Sequence, residues 1–130
     1  MLSIVLDTNI LVSALLVRQS IPDRIVRLAG NKIFQTRYSD DILREYIAVL
    51  SRKKFNFRLE DIERIITGIM NAGMPVNPVP SACFMADEAD RKFYDAAQTA
   101  GAILITGNGK HYPSEPFIFS PAEFMRRYGG

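Results

Sequence analysis

Four acids carry the chemistry this sequence can do: Asp7, Glu45, Asp90 and Asp95. Asp7 stands in "IVLDTNILVSALL", a carboxylate lodged between two apolar runs, where an unpartnered acid is costly. Glu45 lies in "YSDDILREYIAVL", on the edge of an apolar helical stripe rather than on its polar face. Asp90 opens a helical stretch, and Asp95 follows about one turn later. Carboxylates drawn together repel one another, and one takes up a proton unless a cation intervenes. Oxygen donors on a rigid frame suit Mg²⁺ or Mn²⁺. An ion held that way activates a bound water and neutralises charge on a phosphoryl oxygen, which is the chemistry of phosphodiester hydrolysis.

For the acids to meet, the elements around them must converge. Ser3–Leu6 is short, apolar and β-branched, and reads as a buried strand ending at Asp7. "AILIT", Ala102–Thr106, is the clearest strand and runs into the Gly107–Asn108–Gly109 turn. Further strands are expected at Lys32–Thr36 and Phe117–Phe119, with at best a short edge strand in the proline-rich Met74–Pro80. Helical patterns fill the gaps. They run from Ile10 to before Ile21, from Pro22 to Ala29, from a Ser39 or Asp40 cap to near Arg52, and from Leu59 to Gly73. Another follows Asp90 with Phe93, Tyr94, Ala97 and Ala100 on one face and Gly101 as its stop, and a short last helix begins at Pro121. Strands separated by helices, without hairpin signals, mean an α/β fold with a mainly parallel sheet. Sites in such sheets form beyond the carboxyl ends of the strands, so Asp7 and the Thr106–Asn108 turn are expected to share one crevice.

Composition narrows the alternatives. A chain of 130 residues reads as one domain, 1–130, able to bury a core without crosslinks. A single cysteine, Cys83, excludes an internal disulfide and a multi-cysteine metal site. A single histidine, His111, excludes a His-rich zinc site and any mechanism needing two histidines. The apolar opening is broken by Asp7, Thr8 and Asn9 and has no basic leader, so neither a signal peptide nor a membrane span is expected, and the expected location is the cytoplasm. A net charge of +2 does not announce nucleic-acid binding, although Arg52, Lys53, Lys54 and Arg58 cluster, as do Arg126 and Arg127.

Each candidate also has a plainer reading. Asp7 and Asp90 would serve as helix caps, and Asp95 as a solvated helix-surface acid away from the Phe93–Tyr94–Ala97 face. His111, beside Tyr112 and Pro113, reads as a surface-loop residue, and Cys83 as a packed thiol.

Taken together, the motifs resemble the PIN-domain nucleases, specifically the VapC-like toxins of toxin–antitoxin pairs. "IVLDTNILVSALL" resembles the first motif of that family, "YSDDILREYIAVLSRKKF" the second, with Glu45 in "EY", and "DEADRKFYDAAQTAGAILITGN" the third. The resemblance covers nearly the whole chain, in order. It implies a three-layer fold with a central parallel sheet of four to five strands flanked by helices. It implies Asp7, Glu45 and Asp90 as metal-binding and catalytic acids and Asp95 as a further catalytic member. Thr8 and Asn9 would orient Asp7 or contact the scissile phosphate, with Thr106 and Asn108 as further positioning groups. It implies a Mg²⁺- (or Mn²⁺-) dependent endoribonuclease acting on RNA, commonly a homodimer, restrained by an antitoxin protein. Arg52, Lys53 and Lys54 are candidates for holding the RNA backbone. One departure stands out: many members end the fourth strand in Thr-x-Asp, whereas here it is "TGN", and Asn108 supplies a neutral oxygen.

Two other readings remain open. A domain that binds RNA or protein without turnover would fit Asn108. A phosphatase with Asp7 as nucleophile would need a second Asp two residues on, where Asn9 stands.

Overall fold

The computed structural model describes residues 1–129. β1 (Ser3–Leu6) leads through Asp7 into α1 (Thr8–Leu16), and α2 (Ile21–Gly30) precedes β2 (Gln35–Tyr38). α3 (Asp40–Leu50) and α4 (Leu59–Ala72) follow, then the two-residue β3 (Met74–Pro75). After a long connection and a 3₁₀ turn at Glu88–Asp90 come α5 (Arg91–Ala100), β4 (Ile103–Ile105), a second 3₁₀ turn at Gly109–His111, β5 (Ile118–Phe119) and α6 (Pro121–Tyr128). The strands form one parallel sheet in the order β3-β2-β1-β4-β5, flanked by six helices. The expected α/β architecture with a parallel sheet of four to five strands is therefore present.

Strand order fixes where a site can form. From β1 the chain moves to β2 on one side and later returns to β4 on the other, with Ile4, Val5 and Leu6 opposite Ile103, Leu104 and Ile105. The sheet reverses its progression between β1 and β4, and a crevice opens beyond their carboxyl ends. The Asp7 amide still donates to the Ile105 carbonyl at 3.0 Å, so Asp7 is the last residue tied into the ladder.

Local chemistry sets the helix ends. Ser20 caps α2, Ser39 caps α3 through the Ile42 amide, and Ser120 and Glu123 form a capping box on α6. Gly101 ends α5 in the left-handed conformation, φ 64°, which a residue without Cβ adopts freely. α5 lies over the middle of the sheet, touching β1, β2 and β4. Its residues Phe93 to Ala97 are all buried, and the small Ala96 and Ala97 let the helix approach the strands closely.

The structure departs from the sequence reading at several points. α1 begins at Thr8 rather than Ile10, because Asp7 already takes the N-cap position. β2 begins at Gln35 rather than Lys32, because Asn31 and Lys32 complete the turn out of α2, Lys32 in the left-handed region at φ 63°. Asp95 is not a solvated surface acid: it is 6% exposed, inside the run of buried α5 residues. Among the described residues no helix is long and apolar enough to cross a membrane.

Candidate active site

Asp7 occupies the N-cap position of α1, yet its carboxylate makes no capping hydrogen bond. It is held from the opposite side of the crevice instead. Thr106 Oγ1 donates to Oδ2 at 2.9 Å and Tyr112 Oη donates to the same oxygen at 2.8 Å. Both donors are buried, as is Asp7 itself. Burial raises the Asp7 pKa, the Tyr112 and Thr106 hydrogen bonds and the nearby Asn9 amide pull it back, and the Glu45 charge raises it further. Tyr112 in turn is held far above its ordinary range, first by burial and then by the Asp7 charge, so it remains a proton donor to that oxygen.

Thr106 is the hub of the β4 end. Its hydroxyl donates to Asp7, and it accepts from the Asn108 amide at 3.0 Å and from Asn9 Nδ2 at 3.4 Å. Asn9 Oδ1 accepts from the Gly107 amide at 3.0 Å. Asn9 thus fastens the first turn of α1 to the turn after β4. Thr8 points elsewhere: its hydroxyl donates to Glu45 Oε2 at 2.5 Å. Of the two residues expected to orient Asp7, neither side chain bonds to it. Thr8 orients Glu45, and Asn9 acts on the turn and on Thr106. The Asn108 side chain is exposed at the crevice rim.

Glu45 projects from α3, and Tyr46 beside it anchors that helix to β1 by donating to the Leu6 carbonyl at 2.6 Å. The other Glu45 oxygen is taken by Lys92, whose Nζ lies 2.7 Å from Oε1 and also donates to the Ala89 carbonyl at 2.5 Å. Asp90 ends the 3₁₀ turn ahead of α5, and it does not cap that helix. The capping in this turn is done by Asp87, which accepts from the Ala89 amide. Burial, the Asp7 charge and the Asp87 charge push the Asp90 carboxyl up to about 6. His111 Nδ1, 3.7 Å from Asp90 Oδ2, works against that rise, and Glu45 adds to it. His111 is exposed, as a loop residue should be, but it faces the crevice.

Asp7, Glu45 and Asp90 are therefore close enough for their charges to bear on one another, and Asp95 is not in this group. It borders a separate cavity of about 370 Å³ with Ser39, Asp40, Asn77, Pro78 and Lys92, a lining that includes none of the other three acids. Its Oδ1 is buried without a hydrogen-bond partner among the described residues. Two residues that shape the crevice were missed in the sequence, Tyr112 and Lys92. The only local signal for Tyr112 is an aromatic residue placed just after the Thr106–Gly109 turn in "TGNGKHYP".

The donors fit a hard divalent cation in part. Asp7 and Asp90 offer oxygens whose mutual repulsion already raises the Asp90 pKa, a repulsion that a cation relieves. Glu45, in contrast, is neutralised by Lys92, and among the described residues no three His, Cys, Asp or Glu side chains are gathered to hold one ion. Asp7 and Asp90 are thus the pair that could hold an ion, with Glu45 as a third acid already engaged.

Comparison with known proteins bears on the same region. The sequence model of the PIN domain matches residues 3–110, spanning β1, the Glu45 helix and the β4 turn. An uncharacterized protein of Methanocaldococcus jannaschii is 32% identical over 110 residues, which cover 82% of this chain and 71% of that protein.

Proposed function

This chain belongs to the PIN domain family, whose fold is of nuclease type and whose members are generally hydrolases using divalent metals, and we propose that it is a Mg²⁺- or Mn²⁺-dependent endoribonuclease. The observation that carries this reading is the Asp7 carboxylate. It ends a buried strand at the head of α1 and is pinned by Thr106 and Tyr112 beside a second acid, Asp90. A carboxylate used only to cap a helix has no need of two cross-crevice donors.

Asp7 and Asp90 would hold the ion, with Glu45 joining them when freed from Lys92. The ion's contribution when bound is an activated water and neutralisation of charge on a phosphoryl oxygen. The chain's own residues supply the frame. Tyr112 and Thr106 keep Asp7 in one rotamer and offset part of the burial that raises its pKa. Thr8 holds Glu45 toward the same edge, and Asn9 keeps the Gly107–Asn108 turn against α1. Asp90, its carboxyl pushed up to about 6, is mostly ionised at neutral pH and would be available to a cation there. His111, 3.7 Å from Asp90, and the adjoining exposed Lys110 are the basic side chains this reading assigns to an RNA phosphate. Arg52, Lys53 and Lys54 follow the far end of α3, about 10 Å along the helix from Glu45, so they would meet RNA away from the cleaved bond.

The toxin half of a toxin–antitoxin pair is the physiological role this reading suggests, with an antitoxin placing a basic side chain between Asp7 and Asp90. Homodimerisation belongs to the same reading. The test is cleavage of single-stranded and structured RNA by the purified chain with Mg²⁺ or Mn²⁺. Asp7→Asn should lower the rate by about a thousandfold or more while leaving the fold intact. Unchanged cleavage by Asp7→Asn, or no metal-stimulated cleavage by the wild type, defeats the proposal. In the second case, tight RNA binding without turnover would favour the binding-only reading, for which Lys92 on Glu45 and Asn108 at the rim are the specific observations.

A further inference from the structure

We propose that Lys92 is a tethered counter-cation competing with the divalent ion for Glu45, and that Asp95 is the carboxylate that receives Lys92 when the ion binds. This rests on the divalent-ion reading of the crevice and adds two positioning residues to it.

Both Glu45 oxygens are engaged, one by the Thr8 hydroxyl and one by the Lys92 ammonium at 2.7 Å. An ammonium and a divalent cation repel at such separations, so each weakens the other's hold on a shared carboxylate. Lys92 is only 23% exposed and Glu45 only 22%, so a displaced ammonium does not simply pass into bulk water. It needs another anion within reach of its own stem.

Asp95 answers that need. It stands three residues on in α5, on the same helical face as Lys92. Its Oδ1 is buried with no hydrogen-bond partner among the described residues, a state that ordinarily demands a compensating group. Lys92 and Asp95 wall the same cavity of about 370 Å³, which leaves room for the lysine stem to swing. The other cation on that cavity, Arg44, is committed to Asp41 at 2.6 Å. Two otherwise unrelated features then have one cause: an acid of the crevice is held by an internal ammonium, and a buried acid one turn away is left open.

In this arrangement the metal-free site is kept from accumulating negative charge by Lys92, and ion binding moves that charge by one helical turn instead of expelling it. Asp95 favours the ion-bound state without touching the ion.

The experiment is a calorimetric titration with Mn²⁺ of the full chain and of Lys92→Met, Asp95→Asn and the double variant. Lys92→Met should tighten Mn²⁺ binding by about tenfold. Asp95→Asn should weaken it by about three- to tenfold, and this effect should vanish in the Lys92→Met background. Equal weakening by Asp95→Asn in both backgrounds overturns the proposal, because Asp95 would then act directly or through the fold. So does an unchanged affinity in Lys92→Met, which leaves the divalent-ion reading standing. Absence of Mn²⁺ binding in all four proteins overturns both. A second readout is independent of affinity: the Lys92 ammonium NMR signal should shift on Mg²⁺ addition in the wild type. A shift of the same size in Asp95→Asn contradicts the transfer.

Discussion

Asp7 and Asp95 are equally buried, each 6% exposed, and they are treated in opposite ways. Asp7 sits at the switch point of the sheet, where Thr106 and Tyr112 reach across from the β4 side to hold one of its oxygens. Asp95 sits on the buried side of α5 beside a cavity, and one of its oxygens has no partner among the described residues. The fold spends hydrogen bonds on the carboxylate that must keep one orientation and withholds them from the other. A fixed acid suits repeated use of one geometry. An open acid suits a partner that comes and goes. The neighbouring Glu45–Lys92 pair lies between these two cases, satisfied by a group that the protein itself can move.

Removing the support of Asp7 should produce the largest change. Tyr112→Phe deletes a buried hydrogen bond to a carboxylate while keeping the ring that fills the space. Unfolding stability should fall by about 1.5–3 kcal/mol, measured by urea denaturation at neutral pH. The Asp7 pKa should rise further, since one of the bonds opposing its burial is gone. A stability equal to wild type would mean that Tyr112 only packs, and the contrast with Asp95 would lose its meaning.

Much of this contrast was hidden from the sequence for physical reasons. Asp7 was legible because a strand of apolar residues ending in a polar triplet leaves the carboxylate at a sheet edge, and the Thr106 turn was legible because "AILIT" declares its strand so clearly. The parallel architecture followed from the spacing of strands and helices. Tyr112, however, meets Asp7 across 105 residues, and nothing local distinguishes it from any loop tyrosine. Asp95 was misplaced because a stripe drawn through Phe93, Tyr94, Ala97 and Ala100 assumes one buried face. α5 instead lies over the centre of the sheet and against α3, so five successive residues are covered and the helical period no longer sorts inside from outside. Lys92 was unreadable for the complementary reason: a lysine near a helix start looks solvated until its partner, Glu45, is placed by another helix.

The second effect is smaller and opposite in sign. Asp95→Leu replaces an unpartnered buried carboxylate by an apolar side chain bordering a cavity with room for it. The metal-free protein should gain about 1 kcal/mol of unfolding stability, since a buried oxygen without a hydrogen-bond partner is removed. The same substitution made at a satisfied acid should do the reverse. Loss of stability in Asp95→Leu would show that the carboxylate is held by ordered water, and that both acids are satisfied after all.

The smallest expected effect concerns pH and the acid between these extremes. Asp90 is partly buried, and its carboxyl is raised from 3.8 to about 6 by burial and by the charges of Asp7, Asp87 and Glu45. Between those two values the folded chain binds a proton that the unfolded chain has released. Linkage then gives stability that is present below pH 3.8 and is lost as pH rises through about 6. With the metal-free protein in chelator, Asp90 should lower unfolding stability by less than about 1 kcal/mol across that window, because solvent screens part of the repulsion. In Asp90→Asn this contribution should disappear, leaving a flatter profile between pH 4 and 6. An unchanged slope in Asp90→Asn would place the repulsion elsewhere among the crevice acids and would weaken the case that Asp7 and Asp90 form one seat.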